Sequence, residues 1–255
     1  MESVVLDPLE YRIDRPSLLA RLRLKEGSGH ATKVEGLIRE AEAVAHPRAI
    51  YRMAFIESRG DQHVVAEELR FESRVLKVNL DNLHRFFAFV VTSGRELDAW
   101  ANVKTDLLEQ FWADAINQAV VISARSFLDW HLQERYGLAK TARMSPGSLP
   151  DWPLEEQRVL FELLGDTRKT IGVELTESLL MVPIKSLSGI VFNNEEGFSS
   201  CQLCPREDCP GRRVSYDPGL YERKYRNPSQ TSHLGKFLTS IRQKNLNLHS
   251  MDEEK

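Results

Sequence analysis

The sequence predicts an α+β fold, on three observations. Runs rich in β-branched and aromatic residues at 49–56, 64–65, 74–80 and 86–92 have the composition and period of strands. Residues 105–136 contain neither proline nor glycine, and Leu108, Phe111, Trp112, Ala115, Ala119, Ile122 and Leu128 keep an apolar stripe at helical spacing. The elements alternate without a repeat along 255 residues, a length that suits one large domain or one domain with a small appendage.

In chain order, Val34, Leu37, Ile38, Ala41 and Ala45 form a helical stripe after Thr32, and Pro47 ends it because its ring disfavours the helical conformation of His46. The four strand candidates follow. The long stripe reads as a central helix, with its aromatic residues in the core and Gly137 as its stop. Residues 141–151, TARMSPGSLPD, read as a turn-rich loop fixed by Ser145, Pro146, Gly147 and Pro150. Pro153 opens a helix running to Leu164, with Asp151 as its cap and Glu155 and Glu156 in the favourable first turn. Thr176-Glu177-Ser178 has the composition of a helix start, and 185–192 reads as a further strand. From Asn227 the chain is polar, the pattern of a flexible tail.

Composition narrows the function. No apolar run approaches a membrane-spanning length, and the N-terminal segment has charges throughout, so the expected location is cytoplasmic and no membrane partner is expected. A net charge of -3 speaks against bulk nucleic-acid affinity. The histidines lack metalloprotease pairing, and neither a Gly-x-Ser-x-Gly nor a phosphate-cradling Gly-x-x-x-x-Gly-Lys motif occurs. No motif of this kind points to a self-sufficient hydrolase or nucleotidase. Cysteine is confined to Cys201, Cys204 and Cys209, spaced C-x2-C-x4-C. In a reducing compartment such a cluster points to a ligand set. Three readings stand: an iron–sulfur cluster, zinc with a fourth ligand such as His233, or uncoordinated thiols with labile disulfide chemistry.

"LTESLLMVPIKSLSG", with the upstream "RMSPG" and "DWPLEEQRVLFELL", resembles the activation (reactivation) domain of vitamin B12-dependent methionine synthase in the stand-alone form found in anaerobic bacteria. "YRIDRPSLLARLRLKEG", "HPRAIYRMAFI" and "DWHLQERYG" extend the resemblance over most of residues 11–192. It implies a C-shaped single domain with a twisted antiparallel sheet over residues 1–195, followed here by the cysteine-rich segment 196–226 and the tail 227–255. It also implies S-adenosylmethionine as ligand, bound so that an oxidised corrinoid can be reduced and remethylated. Arg143 would take the ligand carboxylate, Ser145 and Gly147 would lie in the same loop, and Asp14 would reach the amine. Glu177 would face the sulfonium or cap a helix. The family has a tyrosine directly after this glycine, where Ser148 stands here.

The implied partner is a corrinoid-binding methionine synthase core or another corrinoid protein, which would supply the cobalamin, together with an electron donor. The chain then needs no nucleophile of its own and acts as a component of a cobalamin-dependent methyltransferase system. A docking factor without ligand affinity is the first alternative. The second is a zinc-knuckle nucleic-acid binder built on Arg206, Arg212, Arg213, Arg223, Lys224 and Arg226 with Tyr216, Tyr221 and Tyr225, a basic patch diluted by Glu207, Asp208, Asp217 and Glu222.

Overall fold

A computed structural model describes residues 2–209 and 211–226. The chain separates into two compact units, residues 1–216 and 217–255; the tail expected over 227–255 lies outside the described residues. In the first unit the elements run β1 (Val4–Leu6), α1 (Arg15–Arg21), α2 (Gly29–Val44), β2 (Arg48–Arg59), β3 (His63–Ala66), β4 (Leu69–Glu72), α3 (Arg74–Asn79), β5 (Arg85–Thr92), α4 (Arg95–Asn102) and α5 (Leu107–Tyr136). They continue with β6 (Thr141–Met144), α6 (Gln157–Leu164), α7 (Thr167–Ile171), β7 (Glu174–Leu175), β8 (Met181–Val182) and β9 (Ser186–Asn193). The fold is α+β. Its main sheet has the order β4-β3-β2-β5-β9-β6, with β1 also on β2, and every pair is antiparallel.

The central strands are buried on both faces, so β5 reads as an unbroken apolar run, RFFAFVVT, rather than an alternation. One face presents Ala49, Tyr51, Met53, Phe87, Phe89, Val91 and Val191 to Ala124, Leu128 and Leu132 of α5. α6 packs against β2, β4, β5 and β9, and α7 against β2. α5 starts at the Asp106 cap, whose carboxylate accepts from the N–H groups of Leu108 and Glu109, and stops at Gly137 in the left-handed conformation. Its first half belongs to a second core: Trp112, Ala115, Ile116 and Val120 pack with Leu18, Leu19, Val34, Leu37, Ile38 and Leu97 from α1, α2 and α4.

Five expectations need correction. Residues 74–80 are α3, not a strand: Ser73 caps the helix by accepting from the Leu76 N–H. Asp151, expected to cap the next helix in sequence, instead accepts from the Val75 N–H at 2.8 Å and from the Ser73 hydroxyl. Residues 141–144 leave the expected loop to form β6, because the edge of β9 offers unpaired main-chain groups there. Thr176–Leu179 closes the β7–β8 hairpin, with the Leu179 N–H on the Thr176 carbonyl, and no helix starts there. On α5, Trp112 is in the core but Phe111 is 58% exposed, and Leu108 and Ile122 are also exposed.

Replacing Asp151 by alanine removes two bonds from the start of α3. A loss of about 1–2 kcal/mol in unfolding free energy is expected, measured by urea denaturation. An unchanged midpoint would mean that Ser73 alone holds the helix.

Candidate ligand site

β6 and the loop after it carry Arg143, Ser145 and Gly147. Arg143 lies opposite Val191 of β9, and Val191 belongs to the core under α5. The register therefore turns Arg143 toward the helix. α5 meets it with Arg125, Asp129 and Gln133 at i, i+4 and i+8, a polar row beside the apolar row of Ala124, Leu128 and Leu132. The Gln133 amide donates to the Thr141 hydroxyl at 3.1 Å. Two residues further along β6, the Arg143 guanidinium pairs with Asp129 Oδ2, which also receives Arg125 at 3.1 Å.

The Arg143 and Asp129 side chains are 21% and 15% exposed, sheltered yet reachable. Burial pushes the Asp129 carboxyl up to about 6, against the opposing pull of Arg125 and Arg213. Asp129 Oδ1 is buried and has no hydrogen-bond partner among the described residues. Such an orphaned acceptor is costly unless a donor arrives. Asp129 is a candidate site residue that the sequence reading missed. The available signal was the Arg-x3-Asp-x3-Gln row along one flank of the long helix.

The loop is a tight turn. Pro146 and Gly147 occupy its two central positions, Gly147 at φ +78, and the Ser145 carbonyl accepts from the Ser148 N–H at 3.1 Å. The Gly147 N–H then donates to the Trp152 carbonyl at 2.8 Å, which anchors the loop on a fully buried tryptophan. Ser148, where the resemblance would put a tyrosine, donates its hydroxyl to the Ser145 carbonyl at 2.6 Å. In this chain that position closes the turn.

The other site residues lie apart from this group. Asp14 caps α1, its two carboxylate oxygens accepting from the Ser17 N–H and hydroxyl, which holds the exposed carboxyl below its usual range. It lines a cavity of about 610 Å³ with Arg12, Ile13, Arg15, Pro16 and Glu42. The Arg12 N–H donates to Ser123 of α5 at 2.7 Å. Six residues separate Ser123 from Asp129, about 9 Å along the helix axis. Glu177 is exposed in the β7–β8 turn, where its carbonyl accepts from Arg158 at 2.7 Å. No hydrogen bond or ion pair joins Asp14 or Glu177 to Arg143 among the described residues.

The cysteines follow β9 closely. Ser200, at the start of a single 3-10 turn (Ser200–Gln202), donates to the Arg143 carbonyl at 3.2 Å. The three thiols are free and half-buried. The Arg212 guanidinium sits across the segment, donating to the carbonyls of Cys201 and Cys204 at 3.2 Å each and to that of Arg206. Among the described residues no three His, Cys, Asp or Glu side chains are grouped to hold a metal ion. As arranged, the donors do not fit the iron–sulfur cluster or zinc site that the spacing suggested, and His233 lies outside the described residues. The basic patch is committed locally. In the second unit, described by itself, Arg223 pairs with Asp217 at 2.6 Å and Arg226 with Glu222 at 2.9 Å.

Comparison with known proteins bears on this arrangement. Residues 104–201, from the approach to α5 through the first cysteine, match the family model of the vitamin B12 dependent methionine synthase, activation domain. The matched segment is similar to that domain over less than half of the chain. It contains Asp129, Arg143 and the whole loop. The crystal structure of the MetH reactivation domain bound to AdoHcy superposes with a TM-score of 0.54 at 18% identity, covering 77% of this chain and 80% of that one. At that identity the likeness establishes the activation-domain fold. No curated protein matches the chain. No helix among the described residues is long and apolar enough to cross a membrane.

Gly189 on β9 sets how closely the loop approaches the sheet. A Cβ there would stand 2.4 Å from the Met144 carbonyl oxygen and 2.7 Å from Ser145 Oγ. Gly189→Ala should cost about 1–3 kcal/mol by overpacking, read as a lowered thermal midpoint. A wild-type midpoint would mean that the loop does not bear on this glycine.

Proposed function

We propose that the chain binds S-adenosylmethionine and supports reductive remethylation of a cobalamin carried by the corrinoid-binding module of a methionine synthase or a related corrinoid protein. The observation that carries this reading is the Arg143–Asp129 pair inside the family-matched segment, with Asp129 Oδ1 buried and lacking a donor. An α-amino acid is a zwitterion. Its carboxylate suits the guanidinium of Arg143 through charge-assisted hydrogen bonds, and its ammonium suits the unpartnered oxygen of Asp129. The amino-acid end of S-adenosylmethionine has both groups. Support also comes from the fold likeness to a reactivation domain whose crystal structure holds AdoHcy.

In this reading the chain's own residues bind and orient. Arg143 and Asp129 fix the amino-acid end, and the turn at Ser145–Gly147 brings main-chain groups close to the ligand. The methyl acceptor is the partner's cobalamin, which supplies the methyl-transfer chemistry. The docking alternative draws on Ser148, since the turn-closing serine stands where the family places a ligand-side tyrosine.

Two expectations follow. Arg143→Ala should weaken S-adenosylmethionine binding by about 1.5–3 kcal/mol in calorimetry. Because Asp129 is ionised above about pH 6, the wild-type affinity should fall as the pH drops through that value. Asp129→Asn should bind weakly with a flat profile, whereas a wild-type affinity that rises toward acid would refute the ammonium contact. For the function itself, a cob(II)alamin-loaded corrinoid-binding module, S-adenosylmethionine and a reductant should give methylcobalamin faster with the chain present, followed by visible absorption. Equal rates with and without the chain, for every corrinoid protein of the source organism, would contradict the reading.

A further inference from the structure

We propose that Cys201 and Cys204 form a redox-active dithiol, with Cys201 as the attacking thiol and small disulfides of the glutathione class as its reaction partners. The two residues stand at the ends of one turn, the Cys204 N–H meeting the Cys201 carbonyl at 3.4 Å. A four-residue turn keeps its end Cα atoms within about 7 Å. A disulfide spans Cα separations of about 4.4–6.8 Å, so a bond can close here with little main-chain movement.

The turn is held from several sides. The Ser199 N–H donates to Gln202 Oε1 at 2.9 Å, Ser200 donates to the Arg143 carbonyl at 3.2 Å, and one planar guanidinium, Arg212, bonds the carbonyls of Cys201 and Cys204 at 3.2 Å each. Arg212 thus clamps the two cysteine main chains in one frame. Arg213 distinguishes the thiols. Burial raises the Cys201 thiol, but the charge and hydrogen-bonding capacity of nearby Arg213 outweigh it and hold the thiol below its ordinary range, which favours the thiolate that does the attacking. Both thiols are free and only half-buried, within reach of a small reagent. Cys209 lies beyond the turn, its N–H on the Glu207 carbonyl.

The chemistry balances without a metal. The Cys201 thiolate attacks one sulfur of an external disulfide RSSR; that S–S bond breaks, a mixed disulfide Cys201–S–SR forms, and RS⁻ leaves to take a proton from water. The Cys204 thiolate then attacks Cys201 Sγ and expels the second RS⁻. Two cysteine thiols are oxidised and one external disulfide is reduced to two thiols.

The test uses the full chain, reduced and freed of reductant, then treated with oxidised glutathione and mapped by peptide mass spectrometry. The expected product is a Cys201–Cys204 disulfide with Cys209 unlinked. Cys204→Ser should accumulate one glutathione on Cys201, and Cys201→Ser should react at least about tenfold more slowly. The wild-type map decides even if a variant fails to fold. Three results would overturn the proposal: a disulfide that includes Cys209, equal labelling of the three thiols, or stoichiometric zinc, or iron with acid-labile sulfide, held by these cysteines in the purified chain.

Discussion

The packing of α5 against two different partners is the constraint on which the rest depends. Its first half, through Trp112, Ile116 and Val120, closes a core with α1, α2 and α4, and its second half, through Ala124, Leu128 and Leu132, lies on the sheet. A single helix of 30 residues is long enough to serve both. Because the second half is seated on the face that includes Val191, its flank meets the edge strand β6 in a fixed register. Gln133 takes Thr141 and Asp129 takes Arg143, contacts four residues apart on the helix and two apart on the strand. The candidate site is thus a by-product of how a helix and a sheet edge align.

The electrostatics of that edge set what can bind. A carboxylate shared by Arg125 and Arg143, with Arg213 also acting on it, would ordinarily titrate low, yet burial outweighs the arginines and leaves Asp129 near 6. One of its oxygens takes both guanidinium contacts and the other takes none. A buried ion pair of this kind adds little net stability, because desolvation offsets attraction. An unsatisfied oxygen adds nothing. Folding stability alone therefore does not account for the arrangement. The cysteine segment hangs on the same strand through Ser200 and the Arg143 carbonyl, so the turn lies next to Arg143.

Much of the fold was legible because it is local. The helix at 29–44, the length of α5 with its glycine stop, and the strands at 48–59, 85–92 and 186–193 follow from periodicity and end signals. The run at 74–80 misled because Val75, Val78 and Leu80 suit a strand, while the groups that make it a helix include a carboxylate 76 residues away from Val75. β6 was hidden because four residues beside a proline–glycine turn have no period of their own. Within the candidate site, Arg143 was singled out through the resemblance that its motif carries. Asp129 was not, since nothing about it stands out until α5 and β6 are side by side. The cysteine spacing was equally legible, but spacing does not say where thiols point, and the described segment does not gather them.

A crystal structure of the chain with S-adenosylmethionine, or with its demethylated product, would test the central claim most directly. The account predicts the amino-acid end at β6, with its carboxylate on the Arg143 guanidinium and its ammonium within hydrogen-bond distance of Asp129 Oδ1. Ligand bound elsewhere, for instance in the cavity beside Asp14, with the Arg143–Asp129 pair untouched, would contradict it.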